Sequence, residues 1–134
     1  MNKSIKLSGR ELDVLKVLWE SEKPLTAKEV SEANPLLSIN TVRTVLKGLI
    51  KKEYIKVSDI VYSGTVLTQS YVQVISAEEY LIHQMKSIVK GGFSGERIIA
   101  SVLEHEDNEL ETIKRLESML KKRREAIAKD DEAT

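Results

Sequence analysis

Asn40, Arg43, Thr44, Lys47 and Lys51 recur at steps of three and four residues, so on a helix they line one face with amides, hydroxyls and cations. Such groups bond phosphate oxygens and the edges of bases. Interleaved with them, Val42, Val45, Leu46, Leu49 and Ile50 form an apolar stripe that must be buried against something. A helix that seats itself by one face and offers donors on the other is suited to reading duplex DNA. A merely solvated amphipathic helix carries the same pattern, so the flanking segments decide between the two.

Two short helices precede this one, each with a clear start. Ser8-Gly-Arg-Glu11 has the spacing of a capping box, in which the serine caps a backbone N–H and the glutamate reaches back. Leu12, Leu15, Val17, Leu18 and Trp19 then give a helix of about three to four turns with one buried face. Glu20–Pro24 breaks the pattern. Thr26-Ala-Lys-Glu29 is a second capping box, opening a short helix over 27–33 that buries Ala27 and Val30. Asn34-Pro35 ends it, because a residue before proline is disfavoured in the α region. A short turn leads to Ser38. Helix, short helix, turn and donor-bearing helix together make a helix-turn-helix.

After Ile55 the period changes from helical to alternating. Ile55 and Val57 alternate with Lys56 and Ser58, and a second alternating run spans about Leu67–Val74. Asp59–Gly64 reads as the connection, with Ser63-Gly64 as its turn. A hairpin at this place is a wing, so residues 1–75 are expected to form a winged helix-turn-helix DNA-binding domain. The fold class is mainly α with a small antiparallel β wing.

Residues 76–134 are expected to form a helical dimerisation domain with a frayed C-terminal tail. Ser76-Ala-Glu-Glu79 is a third capping box, opening a helix over 77–90 with Leu81 and Met85 apolar. Gly91-Gly92 stops it. A second helix over 95–106 presents Ile99, Val102 and Leu103, and a third, from Asn108, presents Leu110, Ile113, Leu116 and Leu120. Three short helices almost without large aromatics make a poor core alone. Burial against a second copy is the cheaper solution, and two-fold symmetry doubles the half-sites read.

Composition bounds the function. The 134 residues carry 21 Lys and Arg against 21 Asp and Glu, which argues against a bulk, non-specific nucleic-acid binder. Between Ser38 and Ser58, however, five cations face one Glu53. There is no cysteine, so disulfides and thiolate metal sites are excluded. The six aromatic residues are too few for stacking platforms of single-strand binders. No signal-like or membrane-spanning apolar run is present, which leads to the expectation of a cytoplasmic protein.

The order and content of these segments resemble the penicillinase-repressor family, bacterial winged-helix repressors of β-lactamase, methicillin-resistance and copper-transport genes. The similar segments are Leu7–Trp19, Thr26–Val30, Ser38-x-x-Thr41-Val42-x-Thr44-x-Leu46, Leu49–Lys52 and Ser76–Glu79, and the likeness extends to about residue 124. The resemblance implies a homodimer whose recognition helices enter successive major grooves of a palindromic operator. By position it implies Asn40, Thr41, Thr44 and Gly48 as DNA-facing, to which helix geometry adds Arg43, Lys47 and Lys51. No cofactor is implied.

The chain departs from that family in four places. Gly48 stands where many members carry a long polar residue. The wing from Ser58 to Ile75 holds no Lys or Arg and runs a couple of residues longer, leaving hydroxyls and amides such as Ser63, Thr65 and Gln69 for any backbone contact. Ser101-Val102 stands where β-lactam-responsive members are cleaved at an Asn-Phe bond. The paired Cys-x-Cys motifs of copper-responsive members are absent. An inducing partner therefore stays unidentified.

Other features have plainer readings. His83 and His105 lie in different helices without an i,i+4 partner, so a surface role outweighs a metal site. Lys121–Arg124 reads as the dipole-favoured last turn of the final helix. Trp19 and Tyr54 read as core anchors. No histidine falls in a catalytic motif and no glycine-rich phosphate loop exists, so an enzyme is not expected. Two alternatives to a repressor remain: a one-component winged-helix regulator that senses a small ligand, and a winged-helix adaptor for a protein partner.

Overall fold

Each helix begins where a side chain can satisfy its first free N–H groups. The computed structural model describes residues 5–89 and 91–133. Ser8 caps α1 (Gly9–Glu20), Thr26 caps α2 (Ala27–Ala33) and Ser38 caps α3 (Ile39–Lys51). The first two caps are complete boxes, with Glu11 and Glu29 reaching back to the cap N–H at 2.9 and 3.0 Å. A two-residue strand, β1 (Leu25–Thr26), lies between α1 and α2. It was not expected, since two residues are too few to display a period of two.

The hairpin follows as β2 (Ile55–Ser63) and β3 (Val66–Gln73), and the antiparallel sheet has the order β1-β3-β2. The segment 59–64, expected as a loop, is mostly strand. A bulge between Val57 and Asp59 leaves Ser58 unpaired, and this one-residue insertion hides the continuation of the alternation. The turn itself is Gly64-Thr65, and Gly64 has φ +65°, where glycine is free of Cβ strain.

The core beneath these elements is aliphatic. Val14, Leu15 and Leu18 of α1, Val30 of α2, and Val42, Leu46 and Leu49 of α3 are fully buried, closed off by Leu37, Ile55 and Ile75. Val14 and Leu37 were missing from the expected stripes. Ile50, expected in the buried stripe of α3, is 36% exposed, because it lies at the edge of the face turned to α1 and α2. Trp19 is an anchor as expected: its indole N–H donates to the Ile75 carbonyl at 2.9 Å, and its ring lies 5.9 Å from that of Tyr80.

Tyr80 belongs to α4 (Ala77–Ile88), capped by Ser76. The chain clusters into two compact units, Met1–Lys90 and Gly91–Thr134, so α4 groups with the winged-helix elements. Gly92, with φ +82°, takes the left-handed conformation just past that helix. The second unit comprises α5 (Gly95–Glu104), capped by Ser94, and α6 (Glu109–Ala133). Helix α6 continues through the tail after Ala128, and Lys121–Arg124 consequently lies in its middle and not in its last turn. No helix among the described residues is long and apolar enough to cross a membrane.

Candidate nucleic-acid interface

Helix α3 owes its orientation to three contacts. Its buried row Val42, Leu46 and Leu49 locks it against α1 and α2. Its N-terminus is fixed by Ser38, whose hydroxyl accepts from the Thr41 N–H at 3.1 Å and donates to the Thr41 hydroxyl at 2.9 Å. Its C-terminus is closed by Tyr54 N–H on the Leu49 carbonyl at 3.0 Å, with Glu53 in the left-handed region at φ 63°. That conformation costs a residue with a Cβ about 1–2 kcal/mol, and it turns the chain sharply into β2.

The outward face carries the expected donors. Asn40, Arg43, Thr44, Lys47 and Lys51 are all exposed. Spread over eleven residue steps, they form a strip of roughly 16 Å along the helix. Arg43, Lys47 and Lys51 make no ion pair among the described residues, so their charges stay available to an anion. Asn40 keeps its side-chain amide free of internal bonds among the described residues, with donor and acceptor both available.

The two threonines behave differently. Thr41 is only half-exposed and its hydroxyl is held by Ser38. The Thr44 hydroxyl donates to the Asn40 carbonyl at 3.0 Å, which spends its proton inside the helix. What Thr44 presents outward is a methyl group and oxygen lone pairs, suited to a thymine methyl and not to a phosphate.

Two nearby residues do not join this strip. Lys52 turns back to Glu11, with Nζ and Oε1 at 2.8 Å, so one of the five cations between Ser38 and Ser58 is spent on the fold. Burial pushes the Glu11 carboxyl up, but the Lys52 hydrogen bond, the Ser8 N–H and the Lys52 charge together hold it below the ordinary value. Gly48 is half-exposed, and a Cβ there would meet Glu11 Oε2 at 3.8 Å. Position 48 thus points toward the first turn of α1. The Glu29 carboxyl is also lowered, chiefly by the Thr26 N–H, against a smaller effect of burial.

The wing has two unlike faces. The register pairs Asp59 with Ser70, Val61 with Thr68 and Ser63 with Val66, and these pairs look inward. Ile60 with Gln69 and Tyr62 with Leu67 look outward, and Ile60, Tyr62 and Leu67 are 61%, 73% and 58% exposed. From Ser58 to Ile75 the wing therefore shows water an apolar face and has no cation with which to hold a phosphate, its one lysine, Lys56, lying at the base of β2. Ser63 and Gln69 flank or support this tip, with Gln69 accepting from the Tyr71 hydroxyl at 3.1 Å.

The residues expected at a dimer interface lie in both units. In the first, Leu81 is exposed and Met85 half-buried; in the second, Ile99, Val102, Leu110 and Leu120 are exposed, while Leu103, Ile113 and Leu116 are half-buried. None of the described side chains of α4, α5 and α6 is fully buried. His105 uses Nδ1 on the Ser101 carbonyl at 2.8 Å, and no cluster of metal-ligating side chains occurs among the described residues.

A family model described as penicillinase repressor matches residues 7–122. Among solved structures, the peroxide-sensing regulator PerR of Streptococcus pyogenes is 18% identical, with 52% of this chain and 48% of that one covered and a TM-score of 0.40. The chain thus spans about half the length of that protein. ZitR of Lactococcus lactis, solved as a point mutant, is 19% identical, covering 92% and 79% of the two chains with a TM-score of 0.44. FabT of Streptococcus pneumoniae, solved in complex with DNA, is 22% identical, covering 87% and 77% with a TM-score of 0.40. No curated protein sequence matches the chain.

Proposed function

The chain belongs to the penicillinase repressor family of DNA-binding transcriptional regulators, and from that footing we propose that it is a homodimeric, sequence-specific repressor of a palindromic operator. The observation that carries this reading is the division of α3. One side is wholly buried through Val42, Leu46 and Leu49, and the other exposes Asn40, Arg43, Lys47 and Lys51 with free polar groups, beside Thr44, whose hydroxyl proton is spent on the Asn40 carbonyl. Arg43 is placed to read guanine O6 and N7, Asn40 to read adenine N6 and N7, and Thr44 to meet a thymine methyl. Lys47 and Lys51 hold phosphates and fix the register. Thr41 fixes the helix start through the Ser38 cap, and its hydroxyl, which accepts from Ser38, keeps its own proton for a phosphate.

Homodimerisation proceeds through the C-terminal helices, whose apolar residues among those described are exposed or only half-buried in one chain. Leu81 and Met85 of α4 and Ile99, Val102, Leu103, Leu110, Ile113, Leu116 and Leu120 of α5 and α6 are the groups buried between copies. The repressor works in the cytoplasm, where its operator lies. Its release needs a signal other than cleavage at an Asn-Phe bond or copper binding by thiolates, since the residues for both are missing.

The test is selection of random duplex DNA on the purified protein at near-physiological salt. Enrichment of an inverted repeat with half-sites about one helical turn apart supports a dimeric repressor. Salt-sensitive binding without any enriched motif favours the adaptor reading and overturns this one.

A further inference from the structure

The inward face of the wing does not pack flat on the helices beneath it. Between it and the exposed side of α2 and the start of α3 runs a groove of about 570 Å³, within the size range of small-molecule sites. Ala27, Ile39 and Val66 line it with apolar surface, and Lys28, Glu32 and Arg43 line it with charge. Val66 is 66% exposed although it stands on the inward face, so its apolar surface is left open to this groove.

The charges narrow what fits. Lys28 is offset by Glu32, one turn away at 4.0 Å, whereas Arg43 has no carboxylate partner among the described residues. The lining therefore carries one net positive charge. It matches a monoanion, and Glu32 opposes a second negative charge. Aliphatic surface from Ala27, Ile39, Val66 and Leu67 beside one free guanidinium suits a carboxylate on a short hydrocarbon body.

We propose that this groove binds a small amphipathic monocarboxylate, whose carboxylate pairs with Arg43 and whose hydrocarbon end covers Val66 and Ile39. The proposal rests on the DNA-reading role of Arg43 given above. A guanidinium paired with a carboxylate in the groove cannot also hold a guanine, so ligand and operator compete for one side chain. Occupancy thereby supplies a release signal that needs neither cleavage nor a metal.

The test uses the full chain with hexanoate as probe, and hexanamide and inorganic phosphate as controls. Methyl resonances of Ala27, Ile39 and Val66 are followed without DNA, so failure of the operator reading leaves this arm intact. Saturable shifts with hexanoate, but with neither control, are the expected result. Equal shifts with hexanamide or phosphate, or none with hexanoate at tens of millimolar, overturn the site. On the selected operator, saturating hexanoate should weaken binding about tenfold. Val66→Trp, which fills the groove from the wing, should bind operator as the parent does and lose that response. Methyl shifts with unchanged operator affinity overturn the competition at Arg43. A Val66→Trp protein that still responds overturns the groove as its seat.

Discussion

Glu11 Oε1 accepts two hydrogen bonds at once, from the Ser8 N–H at 2.9 Å and from Lys52 Nζ at 2.8 Å, and so ties the first turn of α1 to the end of α3 across 41 positions of sequence. One carboxylate closes the cap of α1 and also anchors the end of α3. Its side chain is 12% exposed and that of Lys52 is 44% exposed, so the pair is screened only from one side.

Removing either partner should therefore have unequal effects. Glu11→Ala loses half of the capping box and leaves Lys52 without its anion, and is expected to destabilise the fold by about 2–3 kcal/mol. Lys52→Met keeps the cap and replaces a half-exposed cation, and should cost about 1 kcal/mol after allowance for solvent screening. Denaturant unfolding of both variants and the double mutant measures the coupling. A coupling energy near zero would show that Glu11 acts through the cap alone.

Acid stability follows from the same groups. Glu11 and Glu29 have pKa values below the ordinary 4.5 in the folded chain. Each therefore binds a proton more readily when unfolded, and stabilises the fold above that ordinary value. This contribution disappears as pH falls through the lowered folded values. Thermal midpoints measured from neutral pH downward should be flat above about pH 5 and then decline. Glu11→Gln should start lower and decline less. Parallel curves for the two proteins would exclude Glu11 as a source of the acid sensitivity.

Gly48 illustrates a residue whose role lies in direction and not in identity. The Cβ of an alanine there would meet only Glu11 Oε2, at an ordinary 3.8 Å. Gly48→Ala in mid-helix should raise stability by about 0.5–1 kcal/mol through backbone entropy. Operator affinity should stay level, because position 48 faces α1. A loss of affinity in this variant would indicate that the DNA backbone approaches the glycine closely.

What could be read from sequence was what local rules govern. Ser8, Thr26 and Ser76 announced their helices, because a cap is satisfied within three residues. The donors of α3 were legible because burial of Val42, Leu46 and Leu49 forces the other face outward. The Glu11–Lys52 pair was not legible, since a contact across 41 positions leaves no periodic trace. The strand through Asp59–Ser63 was obscured by the bulge at Ser58, and β1 exists only because Leu25 and Thr26 find Tyr71 and Ser70 on β3. The sequence places the Thr44 hydroxyl among the outward donors, whereas the helix itself consumes its proton.

Arg43 and Lys47 should separate in a salt titration. Lys47→Ala, removing the proposed phosphate contact, should weaken all duplexes alike while reducing the slope of log affinity against log salt by about one. Arg43→Ala should cost about 1–3 kcal/mol on the selected operator and relax the preference at one base pair. Full operator affinity in the Arg43→Ala, Lys47→Ala double variant would remove α3 from the interface.

Dimerisation is tested most cleanly where the residue is free in one chain. Val102 is 54% exposed on α5 and needs no repacking to accept a polar group. A charge buried between two copies is a different matter, because desolvating an unpaired carboxylate costs several kcal/mol. Val102→Asp should therefore leave the helical content unchanged and shift the protein from dimer to monomer in sedimentation equilibrium. Binding to a full inverted repeat should fall toward that of a single half-site, while half-site affinity holds. A dimer that persists at the parent's concentration range would move the interface away from α5, leaving the apolar residues of α6 and α4 to carry it.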